Sequence, residues 1–225
     1  MWRILKKIFL YLFVFQFVYI IALRWVNPPI TITQLSNWIS GNGLARDYVD
    51  YNEMSASVKL AVIAGEDQLF AEHNGFDMRS IRKAMKYNEK NPNKRRGAST
   101  ISQQTAKNVF LWQGGGFFRK GLEVYFTFMI ELFWPKERIL EVYLNVAETG
   151  KGVFGVEAAA RRYFNKSASQ LTDTEAARIA AALPNPKRYT VKPLSNYVSK
   201  RSAKLLRQMN NLEGDPAIQK VIQAR

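Results

Sequence analysis

The stretch Ser57-Val-Lys-Leu-Ala-Val-Ile-Ala-Gly65 runs straight into Glu66-Asp67 and on through Gln-Leu-Phe-Ala-Glu-His-Asn-Gly-Phe76. Its apolar residues recur at three- and four-residue steps, the period of a helix that buries a face. Two adjacent carboxylates therefore stand at the end of an apolar helix. Burial disfavours the charged form of a carboxyl, and a neighbouring carboxylate pushes the same way, so Glu66 is expected to titrate in a range useful for proton transfer. A surface helix end carrying Glu and Asp would give the same letters without any chemistry. His73, the only histidine, reads as a hydrogen-bond partner for the turn that follows.

Working outward, the helical period returns in residues 79–87, 100–109, 119–133, 136–145, 156–163, 172–183 and 198–209, and strand alternation is nearly absent. Boundaries are marked by Asp173 and Thr174 beside Glu175, by Pro184 and Pro186 after an alanine-rich run, and by Pro135 between two helices. The fold class is mainly α, with a compact domain centred on residues 44–209 and extending through residue 225. No internal repeat or low-complexity segment stands out apart from Gly114-Gly115-Gly116, flanked by Leu111, Trp112, Phe117 and Phe118. That run reads either as a mobile apolar loop able to touch a bilayer or as a hinge beside the core.

The chain has 225 residues, 33 Lys and Arg against 18 Asp and Glu, and no cysteine, for a net charge of +15. Disulfide scaffolds, thiolate metal sites and cysteine nucleophiles are excluded, and one histidine cannot build a multi-histidine zinc site. Catalysis must rest on carboxylates, hydroxyls, amides and cations. Residues 79–107 hold nine basic side chains against the single acid Glu89, which suggests an anionic partner such as nucleic acid, anionic lipid or a phosphorylated substrate, or else a solvated, charged loop.

Residues 8–23 read IFLYLFVFQFVYIIAL, uncharged and with one polar side chain, Gln16. The run is slightly short for a hydrocarbon core of roughly 30 Å, with Arg24 able to snorkel and Trp25 and Val26 extending it. Arg3, Lys6 and Lys7 precede it, so the positive-inside rule leaves the N-terminus cytoplasmic and the remainder across the membrane. The segment has no small-residue cleavage site before Pro28-Pro29 and is expected to be a retained single-pass anchor. Residues 1–26 are then tip and anchor, 27–43 a linker stiffened by proline, and 44–225 the functional domain.

Three further segments carry candidate chemistry. In residues 97–108, Thr100 and Gln103 fit a capping box. A helix N-terminus beside Lys94, Arg95 and Arg96 is a ready anion site, to which Ser99 and Thr100 add hydroxyls. Gln103 and Gln104 offer paired donors and acceptors suited to sugar hydroxyls and amides, with Lys107 and Asn108 close behind. A capped surface helix explains the hydroxyls alone. Arg119-Lys120-Gly121-Leu122-Glu123 reads either as an ordinary i,i+4 pair or as a carboxylate held among cations near a phosphate. Residues 136–145 look structural, with Ile139, Leu140, Tyr143 and Leu144 as a core stripe.

Taken in order, EDQLFAEHNG, GASTISQQTAKN, RKGLE and KERILEVYLN resemble the successive motifs of the peptidoglycan glycosyltransferases, the polymerising domain of class A penicillin-binding proteins. The likeness covers roughly residues 54–209 and fits the monofunctional biosynthetic branch. A transpeptidase domain is not expected, since Ser80 and Lys83 spell SxxK without a KTG box. Ser102 stands where a threonine is more usual, keeping the hydroxyl.

The resemblance implies a lysozyme-like helical head with a smaller membrane-facing jaw. It also implies polymerisation of lipid II, with inversion, into β-1,4 glycan and release of undecaprenyl pyrophosphate. Glu66 would be the general base for the acceptor hydroxyl, and Asp67, Phe70 and His73 would shape its site. Lys107, Arg119 and Lys120 would stabilise the leaving pyrophosphate, with Glu123 placing them or binding a metal. Ser99, Thr100, Gln103, Gln104 and Asn108 would contact substrate. Mg²⁺ or Mn²⁺ is implied as an aid to the pyrophosphate, and no organic cofactor. The implied partners are lipid II, the growing strand, membrane lipid and other wall-synthesis or division proteins, not nucleic acid. The implied location is the bacterial inner membrane with a periplasmic catalytic domain. A lysozyme-like fold equally admits a membrane-anchored lytic muramidase or transglycosylase. The basic segment separates the two, because cleaving a neutral sugar bond needs an acid whereas a pyrophosphate leaving group needs cations.

Overall fold

Residues 2–94 and 96–224 are described by a computed structural model, so Arg95 of the basic stretch lies outside the described residues. The elements in order are α1 (Trp2–Ala22), α2 (Ile32–Ile39), β1 (Ala45–Arg46), a 3₁₀ turn (Tyr51–Glu53), α3 (Ala56–Glu66), α4 (Met78–Lys90), α5 (Ile101–Phe110), α6 (Phe117–Phe133) and α7 (Lys136–Val146). They continue with β2 (Glu148–Gly150), β3 (Val153–Phe154), α8 (Val156–Phe164), a second 3₁₀ turn (Ala168–Gln170), α9 (Asp173–Ala182), α10 (Asn196–Leu212) and α11 (Pro216–Ile222). All eight helices read from periodicity in the soluble part are present, and the chain is 63% helical. The strands form one small sheet in the order β1-β3-β2, with β1 parallel and β2 antiparallel to β3.

The apolar helix α3 is the spine of the head. Ser55 caps its N-terminus by accepting from the Val58 N–H, and every residue from Val58 to Ala64 is buried. It packs against α9 and α10. The buried alanines of α9 (Ala176, Ala177, Ala180, Ala181 and Ala182) let the backbones come close. Lys59, in the middle of this apolar helix, is accommodated by its methylene stem and by two partners. Its ammonium lies 3.6 Å from the Tyr51 ring centroid and donates to the Ile222 carbonyl at 3.3 Å. Tyr51 donates to the Val221 carbonyl at 2.8 Å, so both side chains hold α11 against α3. Helix α11 lies beyond the periodic segments, though Asp215-Pro216 is a good N-terminal signal: Asp215 caps it and Pro216 opens it.

Helices α5, α6 and α7 pack together as a second group. Asn145, at the end of α7, is fully buried and exchanges two hydrogen bonds with the backbone of Val49, 2.9 and 3.1 Å, acting like one rung of a sheet. Asn145 is thus structural, as the core stripe of residues 136–145 suggests.

The anchor helix is longer than the uncharged run. It spans 21 residues, about 32 Å at 1.5 Å per residue, with a mean hydropathy of 2.0 over its apolar window, so it is long and apolar enough to cross a membrane. Its C-terminal end does not simply lead into a tether. Ile20 and Leu23 are buried against the domain. Trp134 donates its indole N–H to the Ile20 carbonyl at 2.8 Å, and the buried Arg138 donates to the carbonyls of Leu23 at 3.0 Å and Val26 at 2.8 Å. These donors satisfy the carbonyls that a helix end leaves without internal partners. Arg24, which stays exposed, donates to the Phe133 carbonyl at 3.1 Å.

The linker assignment to residues 27–43 is corrected in part, because the segment contains α2. Thr31 and Gln34 form a capping box that starts this helix, and its polar side is the buried one, with Thr33, Gln34 and Asn37 inward. The prolines before it mask a helix whose pattern is inverted: Ile32, Leu35, Trp38 and Ile39 stand exposed. On α6, which packs against the anchor, Phe117, Phe118, Val124, Phe128 and Leu132 are likewise exposed. Exposed apolar side chains grouped on a helix in this way suit an apolar environment.

Replacing Trp134 with Phe keeps the ring packing but leaves the buried Ile20 carbonyl unpaired. Trp134→Phe is expected to cost about 1–2 kcal/mol of stability, read as a lowered thermal midpoint of the detergent-solubilised chain. An unchanged midpoint would show that the anchor is not docked through this bond.

Candidate active site

Glu66 is the last residue of α3 and projects from the buried spine toward α5. Gln104 donates its amide N–H to Glu66 Oε2 at 2.8 Å, and the amide oxygen of Gln104 accepts from the fully buried Tyr143 hydroxyl at 3.3 Å. Tyr143 thereby fixes which way the Gln104 amide points, and Gln104 fixes the carboxylate. Burial pushes the Glu66 pKa above its ordinary value. The Gln104 bond and the cations Arg201 and Lys107 oppose that shift, while Asp67 adds to it. Glu66 is therefore a carboxyl that gives up its proton late and, once ionised, takes a proton readily.

Asp67, the next residue, turns inward. Its carboxylate accepts from the Ile101 N–H at the start of α5, 3.0 Å, and from His73 Nε2 at 2.9 Å. His73 Nδ1 accepts from the Gly75 N–H at 3.1 Å, which leaves the ring proton on Nε2, facing Asp67. Thr100 donates to the Gly75 carbonyl at 2.7 Å, and Thr100 and Gln103 complete the capping box of α5. Gly75 has φ +86°, and a Cβ there would lie 2.8 Å from Thr127 Cγ2, so no side chain fits. The first two motifs are thus two halves of one joint.

Several expected substrate contacts belong to that joint. Phe70 has no exposed surface and lies beneath the Lys136 ammonium, 4.7 Å from its ring centroid. Phe70, His73 and Gln103 line neither cavity beside Glu66. Asp67 and Thr100 reach the cleft wall, but their polar atoms are engaged within the protein. The helix N-terminus read as an open anion site is likewise filled by the Asp67 carboxylate and the Thr100 hydroxyl. Ser102 donates to Glu131, which also accepts from Lys136 at 2.8 Å, so the retained hydroxyl serves packing of α5 on α6.

Two cavities share Gln104 and Pro184 in their walls. The larger, of about 800 Å³, is lined by Glu66, the exposed Ser99, and residues of α4 and α10. The smaller, about 180 Å³, is lined by Lys107, Asn108, Tyr143 and Glu148 among others. Among the described residues Lys107 makes no ion pair shorter than 4 Å. Burial pushes its ammonium pKa down; Glu123 and Glu66 raise it, and Arg119 and Lys120 lower it further. Glu123, on α6, is only 3% exposed and is clamped by Arg119 at 2.7 Å and by Lys120. Arg119 Nε is buried without a partner among the described residues.

A divalent cation does not fit this donor set. Both oxygens of Glu123 are taken by cations, Lys107 adds a third positive charge nearby, and no cluster of three metal-ligating side chains occurs among the described residues. The arrangement suits an anion.

Sequence reasoning missed Arg201, Tyr143 as a member of the site, and Glu148. Arg201, on α10, donates to the Gly65 carbonyl at 3.1 Å and faces Glu66 electrostatically. Its only signal was a cation in an amphipathic helix. Glu148, on β2, has its pKa raised by burial, offset by Lys187 and by the Gly152 N–H; nothing in its surroundings in the chain distinguishes it from a surface acid.

A family model described as Transglycosylase matches residues 33–210. Proteins named biosynthetic peptidoglycan transglycosylase from Escherichia coli (strain ATCC 8739) and from Shigella boydii serotype 4 (strain Sb227) are each 57% identical over 189 residues, covering 83% of this chain and 78% of theirs. The protein of that name from Shigella sonnei (strain Ss046) shows the same identity and coverage.

Because the Glu66 pKa is raised in the folded state, the folded state holds that proton more tightly than the unfolded chain, and stability tied to Glu66 falls as pH rises through the raised value. Glu66→Gln should therefore be at least as stable as the unaltered chain at pH 8, with the difference vanishing toward pH 4. Denaturant midpoints measured across that range test this. A variant markedly less stable at pH 8 would show that the charged carboxylate is not held at a cost.

Proposed function

The chain belongs to the transglycosylase family, as a glycosyltransferase of peptidoglycan synthesis that polymerises glycan strands, and on that premise we propose that it joins lipid II units at Glu66. The observation that carries this reading is one desolvated carboxyl, Glu66, in the wall of the larger of two adjoining cavities, with Lys107, beside the Arg119, Lys120 and Glu123 cluster, in the wall of the smaller. In the proposed step Glu66 takes the proton from the 4-hydroxyl of the acceptor GlcNAc as that oxygen bonds to C1 of the donor MurNAc. The bond from C1 to the undecaprenyl pyrophosphate oxygen breaks on the opposite face, giving inversion and a β-1,4 linkage. The departing pyrophosphate gains negative charge. Lys107, backed by Arg119 and Lys120, is held ready to stabilise it without reorganising at the moment of reaction.

Glu123 acts through those two cations: it keeps them packed side by side, where like charges would otherwise separate. Gln104 positions Glu66 and, with Ser99 and Asn108, offers hydrogen-bonding groups at the cavity walls. A lytic enzyme would also use a carboxyl of raised pKa, as an acid, but would have no use for three cations around one buried glutamate. The anchor and the apolar faces of α2 and α6 support a reading in which the domain sits at the outer surface of the bacterial inner membrane. The N-terminal tip is cytoplasmic on that reading, and lipid-linked substrate reaches the cleft along the bilayer.

Purified chain is expected to extend lipid II into long glycan, and Glu66→Gln to reduce the rate by roughly 10²–10⁴-fold, the usual worth of a positioned base. The rate of the unaltered chain should rise with pH on an acid limb whose midpoint lies above the ordinary glutamate value. Undiminished polymerisation by Glu66→Gln, or release of soluble fragments from isolated sacculi, would contradict the reading.

A further inference from the structure

The larger cavity contains more positive charge than sugar recognition requires. Arg79 and Lys83, one turn apart on α4, form part of one wall, and Arg201 and Lys204, one turn apart on α10, contribute to the lining as well. The acids of the same lining are already engaged. Glu66 accepts from Gln104 at 2.8 Å and is faced by Arg201, Asp67 is held by Ile101 and His73, and Asp77 caps α4 by accepting from the Ser80 N–H at 2.9 Å. Arg79, Lys83 and Lys204 form no ion pair among the described residues and are exposed to the cleft.

We infer that Arg79, Lys83 and Lys204 form a subsite for carboxylates of the peptide attached to the acceptor sugar. The inference rests on the functional reading above and adds to it a contact with the peptide rather than the glycan. Acceptor hydroxyls and ring oxygens are neutral and are served by amides and hydroxyls, so unpaired cations lining this cavity need an anion to face. The leaving pyrophosphate has its own cations at Lys107, on the far side of Gln104. A lipid-linked acceptor brings two kinds of anion, its own pyrophosphate and the carboxylates of its stem peptide; the pyrophosphate is tethered to a lipid tail that belongs at the apolar faces of α2 and α6, which leaves the carboxylates free to reach this cleft. Lipid headgroups are the poorer match, because these side chains line a cleft rather than the exposed apolar faces of α2 and α6. Such a subsite reads charge at the rim of the reaction and so acts on binding more than on the chemical step.

Helix α4 buries none of its residues, so substitutions on it spare the fold. The test compares the unaltered chain with Arg79→Ala/Lys83→Ala on two substrates: lipid-linked disaccharide with free peptide carboxylates, and the same molecule with those carboxylates amidated. The double variant is expected to raise KM for the free-acid substrate about fivefold, as two exposed charge contacts would, with kcat little changed. Arg79→Lys/Lys83→Arg should restore KM, and the deficit should shrink as salt is raised. On the amidated substrate the variant and the unaltered chain should have the same KM. An equal deficit on both substrates would assign the cations to phosphate, and no deficit on either would assign them to solvent; both results overturn the carboxylate subsite. Polymerisation of either substrate by the unaltered chain preserves the functional reading whatever the variant does.

Discussion

One carboxylate, that of Asp67, joins the two halves of the site. It ends α3 and accepts from the first N–H of α5 and from His73, so the end of the buried spine is held to the start of the helix that carries Gln104 and Lys107. A charge-assisted bond of this kind is worth roughly 1.5–3 kcal/mol, and it also satisfies a helix-terminal donor that would otherwise be buried unpaired. Because Asp67 points inward, its neighbour Glu66 points into the cleft, where Gln104 meets it. His73, Gly75 and Gln103 complete the joint without touching the cavities, and Thr100, which reaches the cleft wall, spends its hydroxyl within the joint. Much of what looks like a catalytic motif in the sequence is therefore the hinge pin that aims one catalytic group.

The electrostatics divide in space. Glu66 lies where burial favours its protonated form, and the cations that moderate this, Arg201 and Lys107, approach from α10 and α5. The Lys107, Arg119, Lys120 and Glu123 cluster keeps three positive charges around one buried negative charge, a stable arrangement with net attraction for an anion. The same helix, α6, exposes phenylalanines on its outer face. Anion-binding chemistry and apolar surface are thus placed on opposite sides of one element, as a substrate with a lipid tail and a pyrophosphate head would need.

The helices, the anchor and the four motifs were legible in the sequence because each rests on local pattern: period, capping residues and an uncharged run. What the sequence concealed depends on packing. Helix α2 was hidden because its buried face is polar and its exposed face apolar, the reverse of a soluble helix. The roles of Asp67, Thr100 and Gln103 could not be separated from that of Glu66, since a capping or cross-linking residue and a substrate-binding one use the same side chains. Arg201 comes to the site from 135 positions along the chain, a distance over which no spacing rule operates. The docking of the anchor through Trp134 and Arg138 had no sequence signal either, because both residues read as parts of soluble helices.

The central claim is that the fold holds Glu66 as a desolvated, late-ionising carboxyl aimed by Gln104. The most direct measurement is the titration of the Glu66 side-chain carboxyl itself, followed by ¹³C chemical shift in labelled, detergent-solubilised protein, with Glu66→Gln used to assign the signal. The account predicts a midpoint above that of an exposed glutamate, and a further rise when Gln104 is replaced by Ala and its stabilising bond to the carboxylate is lost. A midpoint at or below the ordinary glutamate value would contradict it.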